Sequence, residues 1–225
     1  MGLNNLQTGG TGGLRNLTEI IGGVPAENDL HAWYDFTEED GTAPVTDQTG
    51  NGYDIGGSYT GVGESINGVQ AGEFDGTDDQ LSVTFADENQ PTTIGLVFRL
   101  RSSGGNAQTL IDGADKDEHA FRESGSNNWA INAPNTLGDG GADVSNHIAV
   151  ILFDGANSGA WLDGTSIIGG DAGSDAMQGI TLGTNGAGGN AADMAVGEAL
   201  YYPSDKTGIR SDIETYLNDK WSIAV

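Results

Sequence analysis

Two short loops of this chain combine carboxylates with glycine in a way suited to a hard cation: Asp47-Gln48-Thr49-Gly50-Asn51 and Asp75-Gly76-Thr77-Asp78-Asp79. Such an ion takes several oxygen ligands, from carboxylates and from carbonyls that glycine-rich turns leave free. The expected ion is calcium in a structural role, with Asp47, Asp75, Asp78 and Asp79 as favoured ligands and the loop of Asp112, Asp115 and Asp117 as a second candidate. Neither loop is an EF-hand, and Asp-Gly and Asn-Gly pairs are turn formers in their own right, so ion site and plain turn stand as alternatives. Stacking on a sugar needs a different device, an aromatic face with polar neighbours. Trp129 in SNNWAIN, Tyr59 in GGSYTG and Tyr53 are the loop-proximal candidates, whereas Trp33, Trp161 and Trp221 read as core.

Other chemistries find little support. The densest acidic clusters, Glu38-Glu39-Asp40 and Asp115, Asp117 and Glu118, lie among turn residues and read as solvated loops. There is no Gly-x-Ser-x-Gly elbow for a serine nucleophile. With no cysteine, neither a thiol nucleophile nor a Cys-based zinc site is possible. His31, His119 and His147 are far apart and flanked by strand residues, so they read as strand-end or half-buried side chains, although spacing alone leaves a metal triad open. We therefore expect no enzymatic activity.

The elements that must position these residues are mostly strands. LHAWYDF and LSVTF alternate, TIGLVFRL is a longer, more buried run, and HIAVILFDG followed by GAWLDGTSIIGG reads as hairpin strands punctuated by Asp-Gly and Gly-Gly turns. The 38 glycines among 225 residues suit many turns between short strands. One helix is expected at the end, capped by Ser204 and running through Trp221, with Ile209, Ile213, Leu217 and Trp221 at i+4 spacing forming a stripe that packs on the sheets.

Charge divides the chain near Asn28. Residues 1–28 hold one Arg and two Glu, a net of −1, whereas residues 29–225 hold 7 basic and 31 acidic groups, a net of −24. We expect an N-terminal arm over 1–28 and a single domain over 29–225. Within the arm, Leu14, Leu17 and Ile21, with Ile20 beside them, place an apolar stripe on about two helical turns, either a floppy leader or an anchor that orders on a partner. The scattered acids, 22 of them Asp against 3 Lys and 5 Arg, fit a surface adapted to multimolar salt, which screens self-repulsion; a generic solubilising surface is the plainer reading. Nucleic acid is excluded as a partner by the lack of clustered Lys and Arg. No apolar run approaches a membrane span, and the N-terminus lacks the basic and apolar regions of a standard export signal.

HAWYDF, TDQTGNGYD, GEFDGTDDQLSV, NHIAVILFDG with WLDG, ITLGTN and VGEALYYPSDKTGIRSDIETYLNDKW follow one another in an order that resembles the laminin-G-like, concanavalin A-like lectin and glucanase superfamily, over about residues 29–223. The resemblance implies an all-β fold, a jelly-roll sandwich of two antiparallel sheets, here with a C-terminal helix and an extended N-terminal arm. The fold hosts sugar binding, adhesion and glycoside hydrolysis alike. The superfamily's β-glucanases carry their acids in a Glu-x-Asp-x-x-Glu strand pattern, which is absent here. An acidic, lectin-like domain with a near-neutral arm and no export signal is expected on a virion, resembling those in structural proteins of haloarchaeal viruses. It would be a homo-oligomeric capsid or tail component fixed to other virion proteins through residues 1–28 and facing a host surface glycan. The alternatives are a cellular halophilic adhesin or carbohydrate-binding module, and a glycosidase with a non-standard acid pair.

Overall fold

The computed structural model describes residues 23–225. The expected partner-binding stripe of Leu14, Leu17, Ile20 and Ile21 lies outside the described residues. Fifteen strands form two antiparallel sheets. In chain order they are β1 (Ala32–Asp35), β2 (Gly56–Ser58), β3 (Gly61–Ile66), β4 (Val69–Asp75), β5 (Gln80–Glu88), β6 (Thr92–Leu100), β7 (Gln108–Asp112), β8 (Ala120–Glu123), β9 (Asn128–Asn132), β10 (Thr136–Gly140), β11 (Asn146–Phe153), β12 (Ser158–Leu162), β13 (Thr165–Gly170), β14 (Met177–Leu182) and β15 (Asp193–Tyr202). One sheet runs β13-β12-β11-β6-β15-β4-β3, with β1 on the far end of β15, and the other runs β10-β9-β8-β7-β14-β5-β2. This is the all-β sandwich that the sequence leads one to expect.

Alternation produces the layers. The inward residues of both sheets, among them Phe74, Leu96, Phe98, Phe121, Ile131, Ile151 and Tyr201, meet in one buried core. Central strands β6 and β11 are buried on nearly every residue, because the first sheet is also covered on its outer side. The Asp-Gly turn between β12 and β13 is met by Asp163 and Gly164 at φ 48° and 76°, the left-handed pair that a two-residue hairpin turn requires.

The outer cover is the helix α1 (Arg210–Trp221). Ile213, Leu217 and Trp221 of the expected stripe are fully buried against Val97, Ile148, Val150 and Leu200, with Ile209 packed at the edge. The helix starts later than Ser204, however. The Ser204 carbonyl accepts from Thr93 Oγ1, tying this segment to β6, and Asp205 Oδ1 holds both Thr207 N and Thr207 Oγ1 at 2.7 Å, so a 3-10 turn over Thr207–Ile209 precedes the helix. Val24 and Leu30 are buried in the same outer cluster, and Tyr202 Oη donates to the Pro25 carbonyl at 2.7 Å.

The helix is latched by one buried carboxylate. A register shift at Gly197 turns Glu198 towards α1, where it has no exposed surface and accepts from Trp33 Nε1 (2.7 Å), Tyr216 Oη (2.7 Å) and Trp221 Nε1 (2.9 Å), with Lys220 Nζ at 2.9 Å. Gly197 is required there, since a Cβ would lie 2.8 Å from the Trp221 ring.

Candidate functional site

At one end of the sandwich the turn from β4 to β5 gathers Asp75, Asp78 and Asp79, which bring one carboxylate oxygen each to within 4.8 Å of one another. Asp79 is buried, and its Oδ2 accepts from Thr60 N (2.9 Å), Thr60 Oγ1 (2.8 Å) and Asp75 N (2.9 Å), which fixes the turn. Asp75 and Asp78 are exposed, and Asp75 Oδ1 accepts from Thr77 N. Three converging hard oxygens could hold a metal ion. Asp75 also forms one wall of a polar cleft of about 260 Å³, completed by Gly76, Ser102, Asn106, Gln108 and Asp193. Asp75 and Asp193 are direct register partners on β4 and β15, and Gly76, at φ 73°, lets the turn pass so close that a Cβ would sit 2.8 Å from Cβ of Asp193.

The positive charge beside the cleft is already paired, in part with the cleft's own Asp193. Arg101 binds Asp193 Oδ1 (2.5 Å), Glu73 Oε1 (2.5 Å), Glu64 Oε1 (3.2 Å) and the Phe74 carbonyl (2.7 Å). The same holds over the domain: Arg99, Arg101, Lys116, Arg122, Lys206, Arg210 and Lys220 each lie beside a carboxylate. These are all the Lys and Arg residues of 29–225.

The other expected ligands do not join the trio. Asp47 is buried and organises its own loop, accepting from Trp33 N (3.1 Å), Thr49 N (3.1 Å), Thr49 Oγ1 (2.8 Å) and Tyr53 N (3.2 Å). Asp112 turns inward to the amides of Gly113, Asp117, Glu118 and Gly186, and burial raises its pKa despite those bonds. Asp117 is held by Arg122 at 3.0 Å, so the second candidate loop is tied to the sheet through its carboxylates.

The aromatic platform is corrected more sharply. Trp129 has no exposed surface: it points between the sheets from β9, stacked on Phe121 (5.4 Å, 19°) and edge-on to Phe98 (5.3 Å). The preceding Ser126-Asn127 are polar because they turn, whereas β9, from Asn128, sends Trp129 and Ile131 inward. Tyr59 is 9% exposed and packs against Phe36 and Phe74; Tyr53 is half-buried and stacked on His31 at 4.6 Å. Neither Trp33 nor Trp161 is fully buried: Trp33 reaches Glu198, and the Arg210 guanidinium lies 5.3 Å from the Trp161 ring centre.

The histidines do not meet. His31 lies 3.3 Å from Glu88, and burial lowers its pKa. His119 is buried beneath Phe153, with Nδ1 3.0 Å from Thr92 Oγ1 and Nε2 2.9 Å from the Asp175 carbonyl; burial lowers its pKa to about 4. His147 sits between Asp163 (2.7 Å) and Asp143 (3.0 Å); burial opposes its charging, but the two carboxylates outweigh it and raise the pKa. The cleft residues Ser102, Asn106, Gln108 and Asp193 had no sequence signal beyond the Gly104-Gly105 turn, since pairing across distant strands brings them together.

No protein-family model and no curated protein sequence matches the chain. Solved structures do. Trypanosoma rangeli sialidase in complex with 2,3-difluoro-KDN superposes with a TM-score of 0.64 at 14% identity, over 88% of this chain and 33% of the sialidase. The binding domain of botulinum neurotoxin serotype D/C matches with a TM-score of 0.59 at 11% identity, over 84% of this chain and 53% of that one. Domain 4 of a GH43 extracellular arabinanase from Geobacillus stearothermophilus, in complex with arabinotriose, matches with a TM-score of 0.57 at 15% identity, over 84% of this chain and 98% of the domain. The chain thus spans about a third of the sialidases it matches, and at these identities the likeness is one of fold, a β-sandwich.

Proposed function

We propose that this protein is a non-enzymatic, glycan-binding module displayed on the surface of a virion that infects a haloarchaeal host, fixed to its assembly through residues 1–28. The observation that carries the glycan reading is the polar cleft between Asp75 and Asp193 at the loop end of a lectin-like sandwich. A structurally similar domain in complex with arabinotriose supports it. The excess of carboxylates, with each Lys and Arg of the domain already beside one, supports a multimolar-salt environment, where that repulsion is screened. The Asp75–Asp79 trio suits a calcium ion, which would neutralise the turn that forms the cleft wall.

The test compares monomeric and artificially multimerised protein on intact and deglycosylated host cells, with calcium and with EDTA. A shallow site binds weakly as one copy and strongly when linked copies raise each other's effective concentration. We expect adhesion of the multimer that deglycosylation abolishes. Adhesion indifferent to deglycosylation would remove the glycan, and an absence of the chain from purified particles by mass spectrometry would remove the virion.

A further inference from the structure

We propose that His31, Tyr53 and Phe85 form a second sugar-binding face, on which a neutral glycan stacks, at the opposite end of β15 from the cleft; the inference rests on the glycan-binding role above. Three separate stretches bring these rings together: His31 precedes β1, Tyr53 lies in the loop between β1 and β2, and Phe85 is on β5. The His31 ring is stacked on Tyr53 (4.6 Å, 18°) and tilted against Phe85 (4.6 Å, 50°), and Tyr53 meets Phe85 edge-on at 5.5 Å. All three are half-buried. The cause is local. β2 pairs with β5 only over Gln80–Ser82, so no strand flanks the rest of β5 on that side, and Phe85, packed on the core, is left partly open there.

Beneath these rings lies Tyr201, 1% exposed, stacked on Phe85 (5.6 Å, 22°) and edge-on to His31 (5.8 Å, 71°). Two polar atoms of this cluster are buried without a partner, Tyr201 Oη and His31 Nε2. Such atoms are costly, and Phe at either position would avoid the cost, so the polar groups call for a use beyond packing. Burial lowers the His31 pKa, which keeps the ring neutral at pH 7. Glu88 Oε1, 3.3 Å from Nδ1, draws the one ring proton to that nitrogen and leaves Nε2 an acceptor. A donor on Tyr201 and an acceptor on His31 match a hydroxyl group, which gives one hydrogen bond and takes another. Both atoms are covered, so the hydroxyl reaches them as the half-buried Tyr53 ring moves aside. Aromatic faces with a few fixed polar groups are what a sugar, apolar on one side and hydroxylated at its rim, requires.

The experiment is an NMR titration of the isotopically labelled full chain with maltotriose, cellotriose and mannotriose, with glycerol and phenol as controls. Ring signals of His31, Tyr53 and Phe85 report on the stacking face, and the amides of Ser102 and Asn106 report on the cleft. We expect a trisaccharide to move the ring signals and to saturate them. Tyr201→Phe removes a hydroxyl that has no partner, so a purely structural Tyr201 predicts an unchanged or higher melting temperature and unaltered binding. We expect that same melting temperature together with about fivefold weaker binding, the effect of one neutral hydrogen bond. Phe85→Leu keeps an apolar side chain, loses the ring, and should weaken binding about tenfold. Should that variant not fold, Tyr53→Leu takes its place. Trisaccharides that move only the Ser102 and Asn106 signals, or binding at the rings that survives both substitutions at full strength, overturn the stacking face and leave the glycan role standing. Phenol or glycerol moving the rings as strongly as any sugar overturns the sugar as occupant, and silence at both ends of the sandwich overturns the proposed function as well.

Discussion

His147 shows how single side chains set the response of this domain to pH. Its pKa is raised because Asp163 and Asp143 flank the ring at 2.7 and 3.0 Å, so its contribution to stability is complete below the unfolded value of about 6.5 and is lost as pH rises through the folded one. His119 acts in the opposite sense. Its pKa is lowered to about 4 by burial, so stability is lost as pH falls from about 6.5 towards that value. Melting temperature should therefore decline on both sides of weakly acidic pH. His147→Gln should remove the alkaline limb alone, and an unchanged limb in thermal melts above about pH 6.5 would show that the Asp163–His147–Asp143 contact contributes nothing there. Trp129 teaches the same lesson about context. A buried ring stacked on Phe121 and edge-on to Phe98 can only report on folding if it is truncated, so its loss says nothing about sugar binding.

Among the elements, the C-terminal helix depends most on one contact set. Glu198 gathers three neutral donors and Lys220 under α1, and truncation leaves the buried Trp221 Nε1 without an acceptor and removes one from the half-buried Trp33 and Tyr216, while Lys220 keeps Asp35. Glu198→Ala should destabilise the protein by roughly 3 kcal/mol in urea unfolding, and Glu198→Gln by less, since an amide oxygen still accepts. Equal midpoints for Glu198→Ala and the parent chain would show that packing alone seats the helix. The stripe of Ile213, Leu217 and Trp221 was readable from spacing, as were β1, β5, β6, β11, β12 and β13, because alternation and i+4 repeats are local consequences of burial. The Asp75–Asp78–Asp79 part of the acidic reading was legible for a similar reason, being one turn. Asp47 was misplaced because its loop looks alike in sequence, yet its carboxylate is taken up by neighbouring amides. The cleft could not be read at all, since the register that sets Asp193 beside Asp75 belongs to no short stretch of chain.

On the scale of the whole molecule the governing quantity is charge. With 31 acidic and 7 basic groups between residues 29 and 225, and each of those basic groups already paired, the excess carboxylates repel one another across the surface. Dilution from 1 M to 0.1 M salt stretches the screening length from ~3 Å to ~10 Å, so the melting temperature should fall as KCl is removed. A flat profile from multimolar to low KCl would sink the reading of this surface as salt-adapted. Strand β15 gives the molecule a polarity of another kind. Its first residue, Asp193, helps line the cleft, and its last, Tyr202, holds Pro25, near the start of the described residues. Nine steps of about 3.3 Å separate them, a rigid standoff of roughly 30 Å. If the proposed surface role holds, an attachment ahead of Val24 would set the cleft that far from its anchor.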